Sequence, residues 1–239
     1  MNKHIKFGLM AVALAMVAPA IAQQGEVVEN EDEVVGWTPI AFGLASPVQL
    51  PWGHAKWDVF GLDLNLLYSG APKMYGLGIG GLAMTTADDM MGLQVSGLCN
   101  WNAKDVYGMR VTLGANFSFG TTYGWDAGGF AYREGEMWGL DTEFIGSYQK
   151  DFWGAQFSGI VNFTDGQSYG WTTSIGGNMA QTAYGLQLAG VFNFTEELHG
   201  FQIGIVNFAK ECPWGLQIGI VNVIMDNKIK VLPIVNCYF

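Results

Sequence analysis

A short phrase recurs along this chain: Gly, apolar, Gln, apolar, one or two small residues, an apolar pair, Asn. Its fullest forms are 92–100 (GLQVSGLCN), 154–162 (GAQFSGIVN) and 185–193 (GLQLAGVFN), followed by 200–207 (GFQIGIVN) and 215–222 (GLQIGIVN). Degenerate copies start at Gly61, Gly76, Gly108, Gly124, Gly139 and Gly170, so successive starts fall 15 or 16 residues apart from 61 to 215. A fixed period of this size over most of a chain means one supersecondary unit built many times.

Within a unit the period is two. Met109, Val111, Leu113, Ala115, Phe117 and Phe119 alternate with Arg110, Thr112, Gly114, Asn116 and Ser118. Alternate residues of a strand point to opposite sides, so the units are two-faced strands and not helices. Polar clusters at 88–89, 102–105, 133–136, 149–151, 164–167, 195–197 and 226–228 carry the chemistry of chain reversals. Each unit then reads as a strand of about 9–11 residues and a short loop, the strand length that crosses a bilayer when tilted.

Only 13% of the residues are charged, against about 25% in ordinary soluble domains. The less apolar face is Gly, Gln, Ser, Thr and Asn with few long ions, where a water-facing sheet normally carries Lys and Glu. Trp125, Trp171 and Phe201 near one set of strand ends, and Trp101, Phe163, Phe194 and Phe208 near the other, suit the aromatic girdles of a membrane barrel. These features predict an all-β fold: an antiparallel up-and-down β-barrel of about 12–14 short-looped strands, apolar side to lipid and polar side to the lumen. A β-solenoid or an open repeat sheet is the alternative. Three features fit the barrel poorly. The literal strand count is odd, the loops are uniformly short, and Pro233 sits inside the last strand, where a ladder donor is needed.

The N-terminus has Lys3 and Lys6, an apolar run from Phe7 to Val17, and Ala20-Ile21-Ala22 as a small-x-small cleavage pattern. That predicts a secretory signal peptide over 1–22, an acidic flexible leader over 23–36 and a repetitive β domain over 37–239. The full chain has a net charge of −10, and removing the two signal lysines leaves −12. Nothing here supplies the clustered basic surface that nucleic acid needs. The expected location is the cell outer membrane, with membrane lipid as partner. Cys99, Cys212 and Cys237 match no zinc or redox spacing and read as small apolar fillers.

No nucleophile elbow, phosphate loop or metal-spaced His set is present, and neither cofactor nor catalytic residue is expected. His54 lies in a Pro-flanked segment and His199 reads as a turn residue. The polar side does gather Asp63, Arg110, Asp126, Asp141 and Glu143 with Gln94, Gln156, Gln187, Gln202 and Gln217. Enclosed ions need partners, which predicts an internal network of Arg110, carboxylates and Gln amides. It would either fill a narrow interior or form a constriction that selects solutes by charge. Asp141 and Glu143 on one strand also suit acid–base chemistry, but no cleft accompanies them.

The stretches GLQIGIVN and LPIVNCYF resemble an uncharacterised family of bacterial surface-repeat proteins, over roughly 37–239 and most specifically in the last third. That resemblance implies envelope location and no established activity. The C-terminal 229–239 segment, ending on Phe239, also resembles the last strand of bacterial outer-membrane barrels, which implies the outer-membrane assembly machinery as a partner. The expected function is a structural or passive-pore barrel; the alternative is an exported, surface-attached β-repeat scaffold for binding or adhesion.

Overall fold

The computed structural model describes residues 34–45, 48–52 and 56–238. The expected signal peptide and residues 23–33 of the leader lie outside the described residues, as does His54. The expected antiparallel barrel does not form. The chain is a parallel β-solenoid of about 11 turns, in two units, one ending at Gly128 and the other running from Gly129 to Phe239.

In the first unit, β1 (Gly36–Ala45) and the short β2 (Val48–Leu50) pair as an antiparallel hairpin, and β1 runs parallel to β3 (Trp57–Asn65). From there long and short strands alternate: β4 (Tyr68–Ala71), β5 (Met74–Gly80), β6 (Ala83–Thr86), β7 (Met90–Ser96), β8 (Cys99–Asn102), β9 (Val106–Thr112), β10 (Ala115–Ser118) and β11 (Thr122–Arg133). Long strands pair with long ones, β3–β5–β7–β9–β11, and short with short, β4–β6–β8–β10, all parallel. One repeat is therefore one coil, with a long wall and a short wall.

The second unit has the same pattern within itself. Its strands are β12 (Met137–Gln149), β13 (Phe152–Ser158), β14 (Val161–Ser174), β15 (Gly177–Ala189), β16 (Phe192–Ile203) and β17 (Val206–Ile224), each pairing in parallel with the next. The final β18 (Val231–Cys237) turns back antiparallel on β17. Of the polar clusters expected to reverse the chain, 226–228 does so. The cluster at 164–167 lies inside β14 and that at 195–197 inside β16, each beside a shift in register. Pro233 is accommodated because it falls where the β17–β18 register slips, between the Gly219↔Ile234 and Asn222↔Leu232 pairs. No ladder donor is missed at a slip. The last strand thus caps a stack and does not close a barrel.

The period explains the correction. In an antiparallel pair the partner numbers sum to a constant, so at most one pair of equivalent residues of successive repeats can face each other. In a parallel pair their difference is constant. Here the phrase starts stack on one another: Gly76 on Gly61, Gly92 on Gly76, Gly108 on Gly92, and in the second unit Gly154 on Gly139, Gly170 on Gly154, Gly185 on Gly170. Glycine is required at this place for two reasons. At Gly108 φ is +137°, and an added Cβ would lie 2.0 Å from the Gly92 carbonyl oxygen. The coil brings backbone directly over backbone, and no side chain fits between.

Replacing Gly108 with Ala is expected to destabilise the protein by about 2–4 kcal/mol, the sum of an unfavourable φ and a backbone clash. Urea unfolding checks this, and an unchanged midpoint would show that the glycine stack does not support the coil.

Candidate functional site

The polar face turns into the coil. In the second unit Asn162, Asn178, Asn193, Asn207 and Asn222 stand one above another, each buried. Each of the first four donates from Nδ2 to the Oδ1 of the next, over 3.0, 3.0, 2.9 and 2.8 Å. The same amide also donates to a backbone carbonyl on the following turn: Asn162 to Thr173, Asn178 to Leu188, Asn193 to Ile203, Asn207 to Ile218. At the C-terminal end Asn222 donates to Leu232 of β18, so the cap also receives the end of the ladder. The first unit has the same device, with Asn100 donating to Asn116 over 2.9 Å.

The residues that the sequence singled out are all buried, and the structure sorts them into separate groups. Gln217 donates to Gln202 and Gln202 to Gln187, over 2.8 and 3.0 Å. Gln94 approaches Thr86 at 3.5 Å. Arg110 and Asp126 are register partners on adjacent turns: Nε donates to Oδ1 at 2.8 Å and Nη2 to Oδ2, a two-pronged pair, while Nη1 donates to Asn102 and the Phe117 carbonyl. Asp63 accepts from Asn65 and Ser69. Asp141 accepts from Gln156 at 2.9 Å and from Arg133 at 2.8 Å, and Glu143 lies 3.9 Å from the same guanidinium.

Arg133 is the residue that sequence reasoning missed. It reads as part of a surface reversal, but it is fully buried. It sits 16 residues before Gln149, to which it donates, and Tyr132 stacks on Tyr148 at the same spacing. That offset was the available signal. This interior is packed with stacked polar side chains and with apolar ones such as Met90, Phe152 and Leu198, so the expected charge-selecting constriction is withdrawn along with the barrel. Asp141 and Glu143 face the same interior and no solvent-exposed cleft.

The outward rows were also only partly read. The residue before each stacked glycine is Phe60, Tyr75, Met91, Tyr107 and Tyr123 in the first unit, and Trp138, Trp153, Tyr169, Tyr184, His199 and Trp214 in the second. In the second unit neighbouring rings lie 4.3, 5.6, 4.4, 4.6 and 6.5 Å apart, the first four contacts nearly parallel. His199 is therefore a member of a ring stack inside β16 and not a turn residue. Trp171 and Phe201, expected as girdle residues at strand ends, occupy the next outward row, two positions after the ring row. That row reads Leu140, Ala155, Trp171, Leu186, Phe201 and Leu216. Past it, where the long wall bends, Phe144, Ile160, Ile175, Val191, Ile205 and Ile220 form an exposed ridge.

No charged residue stands on these outward rows of the second unit. Its charges outside the interior lie at 134–136, 150–151, 165, 196–197 and 210–211, on the edge linking each short wall to the next long wall, and at 226–230 before β18. At about 4.8 Å between strands and about 3.3 Å per residue, six long strands present an apolar sheet on the order of 500 Å², comparable with the largest patches on ordinary monomers, which are often functional.

Comparison with protein-family models, curated proteins and solved structures finds no match.

Burial also sets the titration of this interior. It pushes the Cys99 thiol up to about 12 and the Cys212 thiol up to about 11, as expected of apolar fillers. Burial raises the Asp63 carboxyl from 3.8 to about 6, against the opposing pull of the Ser69 and Asn65 hydrogen bonds. The folded state then holds this proton over a range where the unfolded chain has lost it. Stability should fall as pH rises from about 4 to about 6, by up to about 3 kcal/mol. In denaturant titrations across that range Asp63→Asn should flatten this part of the curve; an equally steep curve in the variant would remove Asp63 from the account. Separately, Arg110→Met should cost about 3–5 kcal/mol by stranding Asp126, and Arg110→Met with Asp126→Leu should recover most of it. Additive losses in the double variant would contradict the pairing.

Proposed function

We propose that this chain is an exported β-repeat scaffold of the bacterial envelope, attached through the apolar outward face of its coils. The observation that supports this most is the inversion of ordinary soluble design: the hydrogen-bonding side chains are enclosed, and large apolar side chains such as Phe144, Ile175 and Ile220 are left 80%, 72% and 68% exposed. A solenoid offers a long regular surface to a partner, and a surface this free of charge calls for an apolar environment. The interior contributes rigidity. Its amides find partners one coil away, so the wall carrying the rows is fixed in shape. The N-terminal charge, apolar run and cleavage pattern support export, and the envelope location follows from both.

Expression of the full chain in a bacterial host, followed by fractionation and N-terminal sequencing, tests this. The expected product begins at Gln23 and sediments with the envelope. An uncleaved chain retained in the cytoplasm would refute the proposal.

A further inference from the structure

We infer that the outward face of the second unit seats in a lipid leaflet, with the charged edge in water and the aliphatic ridge deepest. This rests on the attachment reading above and names its occupant.

The argument is the order of the rows along the strand direction. Five of the six coils begin at an edge with Glu136, Asp151, Asp165, Glu197 or Glu211, and the coil of Tyr184 has the neutral polar Gln181 and Thr182 there. The ring row follows, then the mixed aliphatic and aromatic row, then a row of Thr142, Phe157, Thr173, Leu188, Ile203 and Ile218, then the ridge. The order from charged through aromatic to aliphatic matches the depth profile of a lipid interface, where Trp and Tyr occupy the headgroup level. The ring row is also oriented to suit it. Trp138 Nε1 donates to Glu136 at 3.0 Å, the Tyr169 hydroxyl donates to Gln167 at 3.0 Å, and His199 Nε2 lies 2.8 Å from Glu197. The polar tips therefore point back to the charged edge and the ring bodies toward the aliphatic side, as amphipathic rings do at a boundary.

Other occupants fit less well. Protein partners of uniform apolarity would not call for a graded face. The ridge side chains protrude from a glycine-rich bend, at Gly190, Gly204 and Gly219, beside a shallow apolar groove of about 520 Å³ edged by Ile203, Ile218 and Ile234. Separate protruding branches over an open groove accept fluid acyl chains without needing a complementary solid surface. From Trp138 to His199 the ring faces are spent on each other, so a polymer that stacks on aromatic faces finds most of that row covered. The acidic edge excludes attraction to anionic headgroups, so the fitting lipid is zwitterionic.

Spin labels at single cysteines along one coil test this. The positions are Gln181→Cys, Leu186→Cys, Leu188→Cys and Val191→Cys, in a mature chain whose Cys99, Cys212 and Cys237 are Ser. The probe is phosphatidylcholine vesicles, with oxygen and an aqueous nickel chelate as relaxants. Protection from nickel should be absent at 181 and should rise in order to 191, and Phe201→Glu should lower the vesicle-bound fraction at least tenfold while Lys150→Glu does not. A Val191 label equally open to nickel with and without vesicles would overturn the inference. So would protection without lipid in a protein that sediments as a dimer, which would make a second copy the occupant. Circular dichroism checks that Phe201→Glu folds; the depth profile decides even if it does not. Mature protein in the envelope that ignores vesicles would sink the lipid inference and leave the attachment reading; a vesicle-binding protein never exported would do the reverse.

Discussion

Backbone lies on backbone where the phrase glycines stack from coil to coil, and the rest of the structure follows from that contact. A carbonyl of one glycine sits where a Cβ of the next would be, as between Gly92 and Gly108. Only glycine meets this steric demand, and only when the coils differ by a whole repeat. Once the glycines are in register, every other position is in register too. Asn then meets Asn, Gln meets Gln and ring meets ring, without further specification.

This like-on-like stacking makes a polar interior tolerable. A buried amide without partners costs on the order of 1–3 kcal/mol. A column of Asn one strand spacing apart gives each amide an oxygen to donate to and a donor to accept from, and the next wall supplies carbonyls for the second N–H. Ions use the same spacing where the ladder residues change: Arg110 finds Asp126 on the neighbouring coil, and Arg133 finds Gln149 one coil on, with Asp141 eight residues away as its counter-ion. The interior is therefore narrow and specific: apolar side chains such as Met90, Val106, Phe152 and Leu198 fill part of it, while many other large apolar side chains are left on the outside. The interior fixes the wall, and the wall carries the rows that the proposed attachment needs.

Much of this was legible in the residues. The period, the strand character and the face on which Asp63, Arg110 and the Gln residues fall follow from alternation alone, and their burial agrees with the side they were assigned to. What misled was treating each polar cluster as a reversal. Residues such as Thr164 to Gln167 combine Asp and Gly as a hairpin does, but a coil corner needs the same chemistry. Two signals pointed the other way. The phrase reads in the same direction at every copy, which only parallel stacking rewards, and an aromatic stands before nearly every phrase glycine, which only in-register stacking brings together. Arg133 escaped because it opens the polar cluster 133–136, and because it lies nine residues after Gly124 where its partner Gln149 lies ten after Gly139. The capping role of β18 was not readable, since Pro233 marks a slip in register only once the partner strand is known.

Disulfide cross-linking of two engineered pairs, in a chain without its native cysteines, tests the parallel stacking most directly. Met179→Cys with Phe194→Cys, and Leu188→Cys with Ile203→Cys, are both register partners on β15 and β16. Each pair differs by the same number of residues, so a parallel stack brings both within the span of a disulfide, and both should cross-link on oxidation, as read by mass spectrometry after proteolysis. An antiparallel pairing fixes the sum of partner numbers and can bring together only one of them. Cross-linking of one pair with failure of the other would contradict the coil.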